Sequence, residues 1–430
     1  MTIIPRPVER RYRRPASIGA PAAFALLAIA AQTARAQDHF TRADAYADAA
    51  PRSVEQSVPS LAAYLARSGR DELTRSRTLY RWVTRNIEYD ATGFRSGNYG
   101  DLSPEGVLRR RVSVCDGYSH LVQALGVAMG LQVEVVRGWS KGYSYAAGQR
   151  FNGRENHSWN AVRIDGQWRL MDATWGSGYL DERLKFFRDF QEHYFLTSPD
   201  AFIFDHFPSD PRWELLDRPL SMAEFTDLVY LRPMFFQAGF RIQSHSHAHI
   251  EADHGVTVTL GVTRPVEISA QLVDGASDRP IDDGFAFAQV DDTHAEISAA
   301  FPRPGNYLIR VFARPRGAAG PLDWVLDYRV NASGAARDAV FPVPYSGFAT
   351  TGSWLYGSMS GSLHPGQSYR FRLRVPGASE VMLDNAGRRT SLTRAGDEFA
   401  GDVSAARGEA VLYARYGDGG YVGLLRYFGR

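Results

Sequence analysis

Residues 156–175 read NHSWNAVRIDGQWRLMDATW, and polar and apolar side chains alternate along most of this stretch. Alternation with a period of two predicts β-strands, here over about residues 156–164 and 167–175. Between the two strands stands Asp165-Gly166, a dipeptide typical of the two-residue turn of a β-hairpin because both residues adopt positive φ with little strain. The stretch therefore predicts an antiparallel hairpin.

The two-residue turn also fixes the register of this hairpin. Ile164 faces Gln167 next to the turn, and the other pairs follow outward from there. Because side chains alternate between the two faces of a strand, His157 and Asp172 share one face as diagonal neighbours. Their Cα atoms then lie about 7–8 Å apart, which lets the carboxylate accept a hydrogen bond from the imidazole. A histidine in a sheet is often only a hydrogen-bonded structural residue, so this pair alone does not define a catalytic site.

The single cysteine of the 430-residue chain, Cys115, lies in VSVCDGYSH at residues 112–120. Apolar residues follow it at helical spacing as far as Gly130, and they predict a helix that begins at the cysteine. These residues are Tyr118, Leu121, Val122, Leu125 and Met129. The dipole and the free N–H groups at a helix start stabilise a thiolate and an oxyanion. A buried structural cysteine is the alternative interpretation of this position.

A cysteine nucleophile requires a general base, and the base requires a group that orients it. The predicted hairpin supplies an imidazole and a carboxylate for these two roles. We therefore predict a catalytic site in which Cys115 is the nucleophile, His157 is the base and Asp172 is the orienting carboxylate.

Three segments in this order resemble the transglutaminase-like superfamily: VCDGYSHLVQALGVAMGL at 114–131, NHSWNAV at 156–162 and WRLMDATW at 168–175. The segment HYFLTSPDAFIFDHFPSDPRWELLDRPLSMAEF at 193–225 resembles the kyphoscoliosis-peptidase branch of that superfamily. The resemblance implies an α+β fold with a papain-like core, in which a helix that starts at the cysteine packs on an antiparallel sheet. It also implies the same Cys-His-Asp assignment.

The implied chemistry is attack of the thiolate on an amide carbonyl of a protein or peptide, followed by release of a thioester acyl-enzyme to water or to an amine. The sequence leaves hydrolysis and transamidation open. The alternative is a non-catalytic cell-surface scaffold or adhesion protein with a vestigial triad. The backbone N–H of Cys115 is one expected oxyanion donor, and Asn98 and Tyr99 are candidates for the second.

No cofactor or metal is expected, because nothing in this chemistry needs one. The histidine-rich segment HSHAHIEADH at 245–254 could place imidazoles in a row along a strand, an arrangement that can bind zinc. Because it follows the catalytic segments, we interpret it as a solvated face of a β-domain.

Residues 1–36 predict a signal peptide that is cleaved after about Ala36. Five arginines precede a short, alanine-rich apolar run and an A-x-A-like site. The apolar run is shorter than the roughly 20 residues of a membrane span. Cleavage removes six arginines and Glu9, which changes the formal net charge from +2 to −3. We expect a periplasmic or secreted protein without affinity for nucleic acid and without a membrane span.

The remaining length is too great for one core and indicates several domains. We predict a linker at 37–53, a transglutaminase-like catalytic domain at 54–235, and two β-sandwich domains at 236–333 and 334–430. Short alternating runs separated by Gly, Pro and Asp make both C-terminal segments typical of immunoglobulin-like sandwiches. These sandwiches could bind a protein partner.

Overall fold

The computed structural model describes residues 40–143, 145–151, 153–181, 183–336, 341–357 and 359–429. The predicted signal peptide and the first residues of the predicted linker lie outside the described residues. In the described part of the chain, no helix has the length and apolar character needed to cross a membrane.

Six α-helices precede the first large sheet in the described chain. Residues 40–48, which we had placed in the linker, form the first of them. This helix packs on the domain because Asp44 and Asp48 form salt bridges with Arg77 and Arg81, both at 2.7 Å. The six helices are α1 (40–48), α2 (Val58–Leu65), α3 (Glu72–Asn86), α4 (Ala91–Ser96), α5 (Pro104–Arg110) and α6 (Cys115–Ala128).

The central sheet of this first part of the chain has five antiparallel strands in the order β8-β5-β4-β3-β9. Helix α6 packs on β3 and β4 with apolar side chains such as Leu121 and Val122, which are fully buried. The strands in this part of the chain, of which β1-β2 and β6-β7 form two separate small sheets, are β1 (Glu88–Tyr89), β2 (Val112–Ser113), β3 (Gln132–Ser140), β4 (His157–Ile164), β5 (Gln167–Met171), β6 (Gly178–Leu180), β7 (Phe186–Arg188), β8 (Phe195–Thr197) and β9 (His206–Pro208). The short helices are α7 (Ala173–Gly176) and α8 (Pro199–Phe202).

The predicted hairpin forms with the predicted register. Ile164 pairs with Gln167, and the pairing continues outward between β4 and β5. The turn residues Asp165 and Gly166 both have positive φ, 50° and 77°, as this turn type requires. The second strand is shorter than predicted, because it ends at Met171 instead of continuing to residue 175.

Asp172 follows the last residue of this strand and stops the strand from continuing. Its Oδ1 accepts hydrogen bonds from the backbone N–H groups of Thr174, at 2.7 Å, and Trp175, at 3.3 Å. An aspartate that bonds to the backbone two and three residues ahead competes with strand pairing and caps a helix. The chain therefore turns into α7 directly after the carboxylate.

The first β-sandwich consists of two sheets around one apolar core. One sheet has the order β10-β18-β17-β14, with β12 parallel to β18, and the other has the order β11-β13-β16-β15. Its strands are β10 (Tyr230–Leu231), β11 (Phe240–Ile242), β12 (His249–Ala252), β13 (Gly255–Val262), β14 (Val266–Asp274), β15 (Ala286–Val290), β16 (His294–Ala300), β17 (Gly305–Pro315) and β18 (Asp323–Ala332). The helices α9 (Met222–Asp227) and α10 (Pro233–Gln237) precede β11.

The second β-sandwich has a sheet β19-β28-β27-β23-β24, with β21 parallel to β28, and a sheet β20-β22-β26-β25. The strands are β19 (Val343–Pro344), β20 (Trp354–Leu355), β21 (Ser362–Leu363), β22 (Ser368–Arg374), β23 (Glu380–Asn385), β24 (Arg388–Ser391), β25 (Thr393–Ala395), β26 (Glu398–Ser404), β27 (Gly408–Arg415) and β28 (Tyr421–Gly429), with helix α11 (Ser346–Thr350) between β19 and β20. The α+β fold with two following sandwiches agrees with the prediction.

The boundaries between these domains stay a prediction. Tyr230 and Leu231, which we assigned to the catalytic domain, pair with strand β18 of the first sandwich. The backbone of that sandwich therefore begins before residue 236. Phe287 on β15 packs in the apolar core of the second sandwich, so a strand of the first sandwich contributes to the core of the second.

Candidate active site

Cys115 is the first residue of α6 and is half-buried. The N-cap residue, Val114, has no side-chain oxygen to accept from the N–H groups of the first turn. Gly117 lets this turn pack closely, because a Cβ there would lie 2.0 Å from the Ser113 Oγ and 2.7 Å from a methyl carbon of Val107. The glycine of the CDGYS segment thus allows the helix start to approach β2 and α5.

His157 is the first residue of β4 and lies between the nucleophile and the carboxylate. Its Nε2 is 2.8 Å from Oδ2 of Asp172, and its ring interacts electrostatically with the Cys115 side chain. Burial by itself lowers the pKa of His157, but the Asp172 carboxylate and the Cys115 side chain outweigh burial and raise this pKa to about 10. The cysteine, histidine and aspartate that the sequence singled out therefore form one continuous series of side-chain contacts.

Asp172 is fully buried. Burial alone raises the pKa of this carboxyl, but His157 and His206 outweigh it and hold the pKa well below its usual range. Since Oδ1 is held by the first turn of α7, Oδ2 is left to face the two imidazoles. The carboxylate is thus fixed in position and negatively charged.

His206 is a second histidine at the same carboxylate, and sequence reasoning missed it. Its Nε2 lies 3.2 Å from Oδ2 of Asp172, and its Nδ1 lies 2.6 Å from Oδ1 of Asp205. Tyr194 donates its hydroxyl to the other oxygen of Asp205 at 3.0 Å. His206 lies in the segment FDHFP at 204–208. This segment was considered only for its resemblance to the kyphoscoliosis-peptidase branch, so no role was assigned to its histidine.

Aromatic rings enclose the two histidines. Trp175 lies 5.1 Å from the His157 ring and 4.5 Å from the His206 ring, measured between centroids. Trp159 contacts both rings from the sheet and is 1% exposed. These rings keep water away from the hydrogen bonds of Asp172, which strengthens electrostatic interactions there.

His157, Asp172 and His206 are also the one set, among the described residues, of three metal-ligand side chains whose donor atoms lie within 4.8 Å of one another. Two imidazoles and a carboxylate are a suitable donor set for a transition metal. The same nitrogen and oxygen atoms are engaged in the hydrogen bonds described above, so the residues already satisfy one another.

The histidine-rich segment 245–254 lies at the first sandwich. His247 Nδ1 is 2.7 Å from Asp227 Oδ2, His245 Nδ1 is 2.9 Å from the Ser244 hydroxyl, and His249 begins strand β12. His249 Nδ1 also lies 3.8 Å from Asp227 Oδ1, so His247 and His249 share one carboxylate while His245 bonds to Ser244, and the row that a continuous strand would produce is not formed.

The candidate oxyanion donors lie at different distances along the chain and in different surroundings. Cys115 places its backbone N–H at the helix start, as predicted. Asn98 and Tyr99 lie in an exposed segment after α4, whereas Tyr89 lies on β1, which pairs in parallel with β2 just before the cysteine. Burial, and to a smaller extent the Cys115 side chain, raises the pKa of Tyr89. Tyr89 therefore lies within electrostatic range of the nucleophile, and sequence reasoning missed it.

Comparison with known proteins gives a family for this geometry. Residues 59–173 match the model of the transglutaminase-like superfamily, and residues 222–343 match the model of the KY-like, immunoglobulin-like domain.

The chain is also similar to curated proteins. The chain is similar to the kyphoscoliosis peptidases of Mus musculus and Homo sapiens, at 34% identity each, over 67% and 68% of this chain and 42% and 43% of the relatives. It is 30% identical to hillarin of Drosophila melanogaster over 47% of this chain and 26% of that protein. The chain thus spans less than half the length of these relatives. The chain contains a domain of the transglutaminase-like superfamily followed by a KY-like, immunoglobulin-like domain.

Proposed function

We propose that this protein is an exported cysteine enzyme that acts on amide bonds of proteins or peptides through a thioester acyl-enzyme. The observation that carries the proposal is the contact series from Cys115 through His157 to Asp172 at the start of a helix. A nucleophile, a base and an orienting group in contact are the arrangement that acyl transfer requires.

The proposed reaction begins with the thiol proton on His157 and a thiolate on Cys115. The sulfur attacks the amide carbonyl, and the backbone N–H of Cys115 donates to the oxyanion that forms. His157 then gives its proton to the leaving nitrogen, the C–N bond breaks, and a thioester remains on the sulfur. Water or an amine next loses a proton to His157 and attacks the thioester, and the thiolate leaves.

Asp172 serves this cycle by accepting from Nε2 of His157 at 2.8 Å throughout. An ionised carboxylate at this place stabilises the imidazolium and leaves the other ring nitrogen directed at the sulfur. Trp175 beside the ring limits access of water to the pair. These contacts support catalysis more than a vestigial site, because the base and its orienting carboxylate are buried and hydrogen-bonded to each other.

Export is part of the proposal and is supported by the basic and apolar pattern of residues 1–36. In this setting the substrates are proteins or peptides outside the cytoplasm. The two sandwiches would bind a protein partner and hold the catalytic domain near it, in line with the KY-like, immunoglobulin-like domain at 222–343.

The test uses the mature chain, residues 37–430, with a glutamine-containing peptide and a labelled primary amine. Mass spectrometry of the products separates attachment of the amine, deamidation and peptide cleavage. We expect one of these products with the wild-type protein and none with Cys115→Ala. A wild-type protein that yields none of the three from a panel of peptides and denatured proteins would favour the scaffold function and overturn the enzyme assignment.

A further inference from the structure

We propose that His206 is a positioning residue of this active site, a doubly protonated imidazole that is held between two buried carboxylates and keeps Asp172 ionised and directed at His157. The inference rests on the proposed function for its catalytic consequence. Its structural part can be tested without any substrate.

The hydrogen-bond pattern is the basis for this assignment of protons. The two nitrogens of His206 face Asp172 at 3.2 Å and Asp205 at 2.6 Å. An ionised carboxylate only accepts hydrogen bonds, whereas a neutral imidazole has one donor and one acceptor. Both nitrogens therefore need a proton if both carboxyl groups are ionised.

Both carboxyl groups act as acceptors at their other positions as well. Asp172 accepts two backbone N–H groups at Oδ1 and His157 at Oδ2, and Asp205 accepts the hydroxyl of Tyr194. A carboxyl group that receives hydrogen bonds in this way is stabilised in its charged form. The shared proton thus belongs on His206.

Because these residues are buried, the charge of His206 affects whether Asp172 stays ionised. His206 is 1% exposed, Asp172 is 0% exposed and Asp205 is 5% exposed. A buried charge is stable only when it is paired. The His206 ring also stacks on Phe202 with centroids 4.0 Å apart, which fixes its plane. An imidazolium in this position pairs with Asp172 independently of the protonation state of His157.

The titratable groups around His206 must be considered together in a pH experiment. Asp172 and Asp205 bond to it directly, and the rings of His157 and Tyr194 lie 5.3 and 5.8 Å away. Two further groups interact electrostatically with Asp205 in the same region: His193 and Lys141.

The experiment measures the rate of Cys115 alkylation by iodoacetamide against pH, a readout that needs no turnover. The variants are His206→Gln and the nearly isosteric Asp205→Asn, and the control is His254→Gln, an exposed histidine of the first sandwich that lies 3.2 Å from Asp253. Loss of the cation beside Asp172 is expected to move the acid limb of the profile to higher pH by about one pH unit or more in both variants. The control profile should coincide with that of the wild type.

Either of two results with these variants would overturn the proposal. One is coincidence of the Asp205→Asn and His206→Gln profiles with the wild-type profile in folded proteins. The other is one equivalent of Zn²⁺ in purified wild-type protein that is absent from His206→Gln, since this would make the cluster a metal centre.

NMR of histidine-labelled wild-type protein tests the protonation state of His206 without any variant. Two N–H signals from this ring at neutral pH are expected, and a single N–H signal would contradict the assignment. Because neither readout depends on turnover, failure of the proposed enzymatic function leaves this test intact. If turnover is found, His206→Gln should lower kcat at least about tenfold with little change in KM, as loss of positioning predicts.

Discussion

Asp172 stands one residue beyond the end of β5 and accepts from His157 Nε2 at 2.8 Å. The carboxylate is therefore held by two local structures. The register of the hairpin sets its position along the strand beside the imidazole, and the first turn of α7 binds its other oxygen. Two constraints on one side chain leave it little freedom to rotate, so its hydrogen bond is preorganised before substrate arrives.

Asp172→Asn is expected to keep the fold and to reduce turnover by about 10⁴-fold, because an amide neither stabilises the imidazolium nor fixes its tautomer. Asparagine also caps helices well, so α7 should persist. Measurement of kcat together with thermal unfolding separates the two effects.

The matched control is Asp165→Asn, which removes the same charge at the turn of the same hairpin. Asp165 has a φ of 50°, and Asn-Gly suits this turn as well as Asp-Gly does. Equal losses of activity in the two variants would contradict the assigned role of Asp172.

His157→Ala should slow alkylation of Cys115 at neutral pH by about tenfold or more, since the imidazole beside the sulfur favours the reactive thiolate. The raised pKa of His157, about 10, keeps the ring protonated at this pH. The corresponding change at the exposed His254 serves as control. Unchanged reactivity of the thiol in His157→Ala would show that the two side chains do not act together.

Tyr89→Phe is expected to lower kcat by about 10²-fold, the size of effect that loss of one oxyanion donor produces, while KM and stability change little. The phenylalanine keeps the ring and its packing on Phe94, whose centroid lies 6.0 Å away. Tyr99→Phe, at an exposed tyrosine that the sequence had suggested, is the control. A larger effect of Tyr99→Phe would restore the first assignment.

Lys141 makes stability depend on pH. Burial lowers the pKa of this amine to about 7, against the opposing effect of Asp205 and Asp227. In the unfolded chain the amine titrates near about 10.4, so between about pH 7 and pH 10 the unfolded state binds more protons than the native state. The free energy of unfolding due to this group therefore rises with pH across that window and is lowest below it.

Lys141→Met should flatten this rise, and urea unfolding at pH 7 and pH 9 measures the slope. The exposed Lys185, which lies over the ring of Phe187, gives the control variant Lys185→Met. An identical slope in wild type and Lys141→Met would show that Lys141 titrates normally in the native protein.

The hairpin, the two residues that it suggested and the helix start at Cys115 could be predicted because each depended on a short spacing in the sequence. A two-residue turn sets the register of everything beside it, and a helix start is visible in the residues that follow Cys115. The end of β5 was missed because Asp172 was considered for its chemistry only, although an aspartate also competes for backbone N–H groups.

His206 and Tyr89 could not be predicted in the same way. His206 reaches the site through pairing of β9 with β3, and Tyr89 reaches it through pairing of β1 with β2. Strand pairs between distant segments have no fixed spacing in sequence, so neither residue could be placed near Cys115 before the sheets were known.

Phe287 belongs to a strand of the first sandwich, yet it packs against Phe348 of the second, with ring centroids 5.6 Å apart. The side chain of Gln289 on the same strand accepts from the backbone of Leu355 at 2.9 Å. Bending one sandwich away from the other would expose a buried aromatic ring and break this bond. Apolar burial and a hydrogen bond thus both oppose bending at the joint between the two sandwiches.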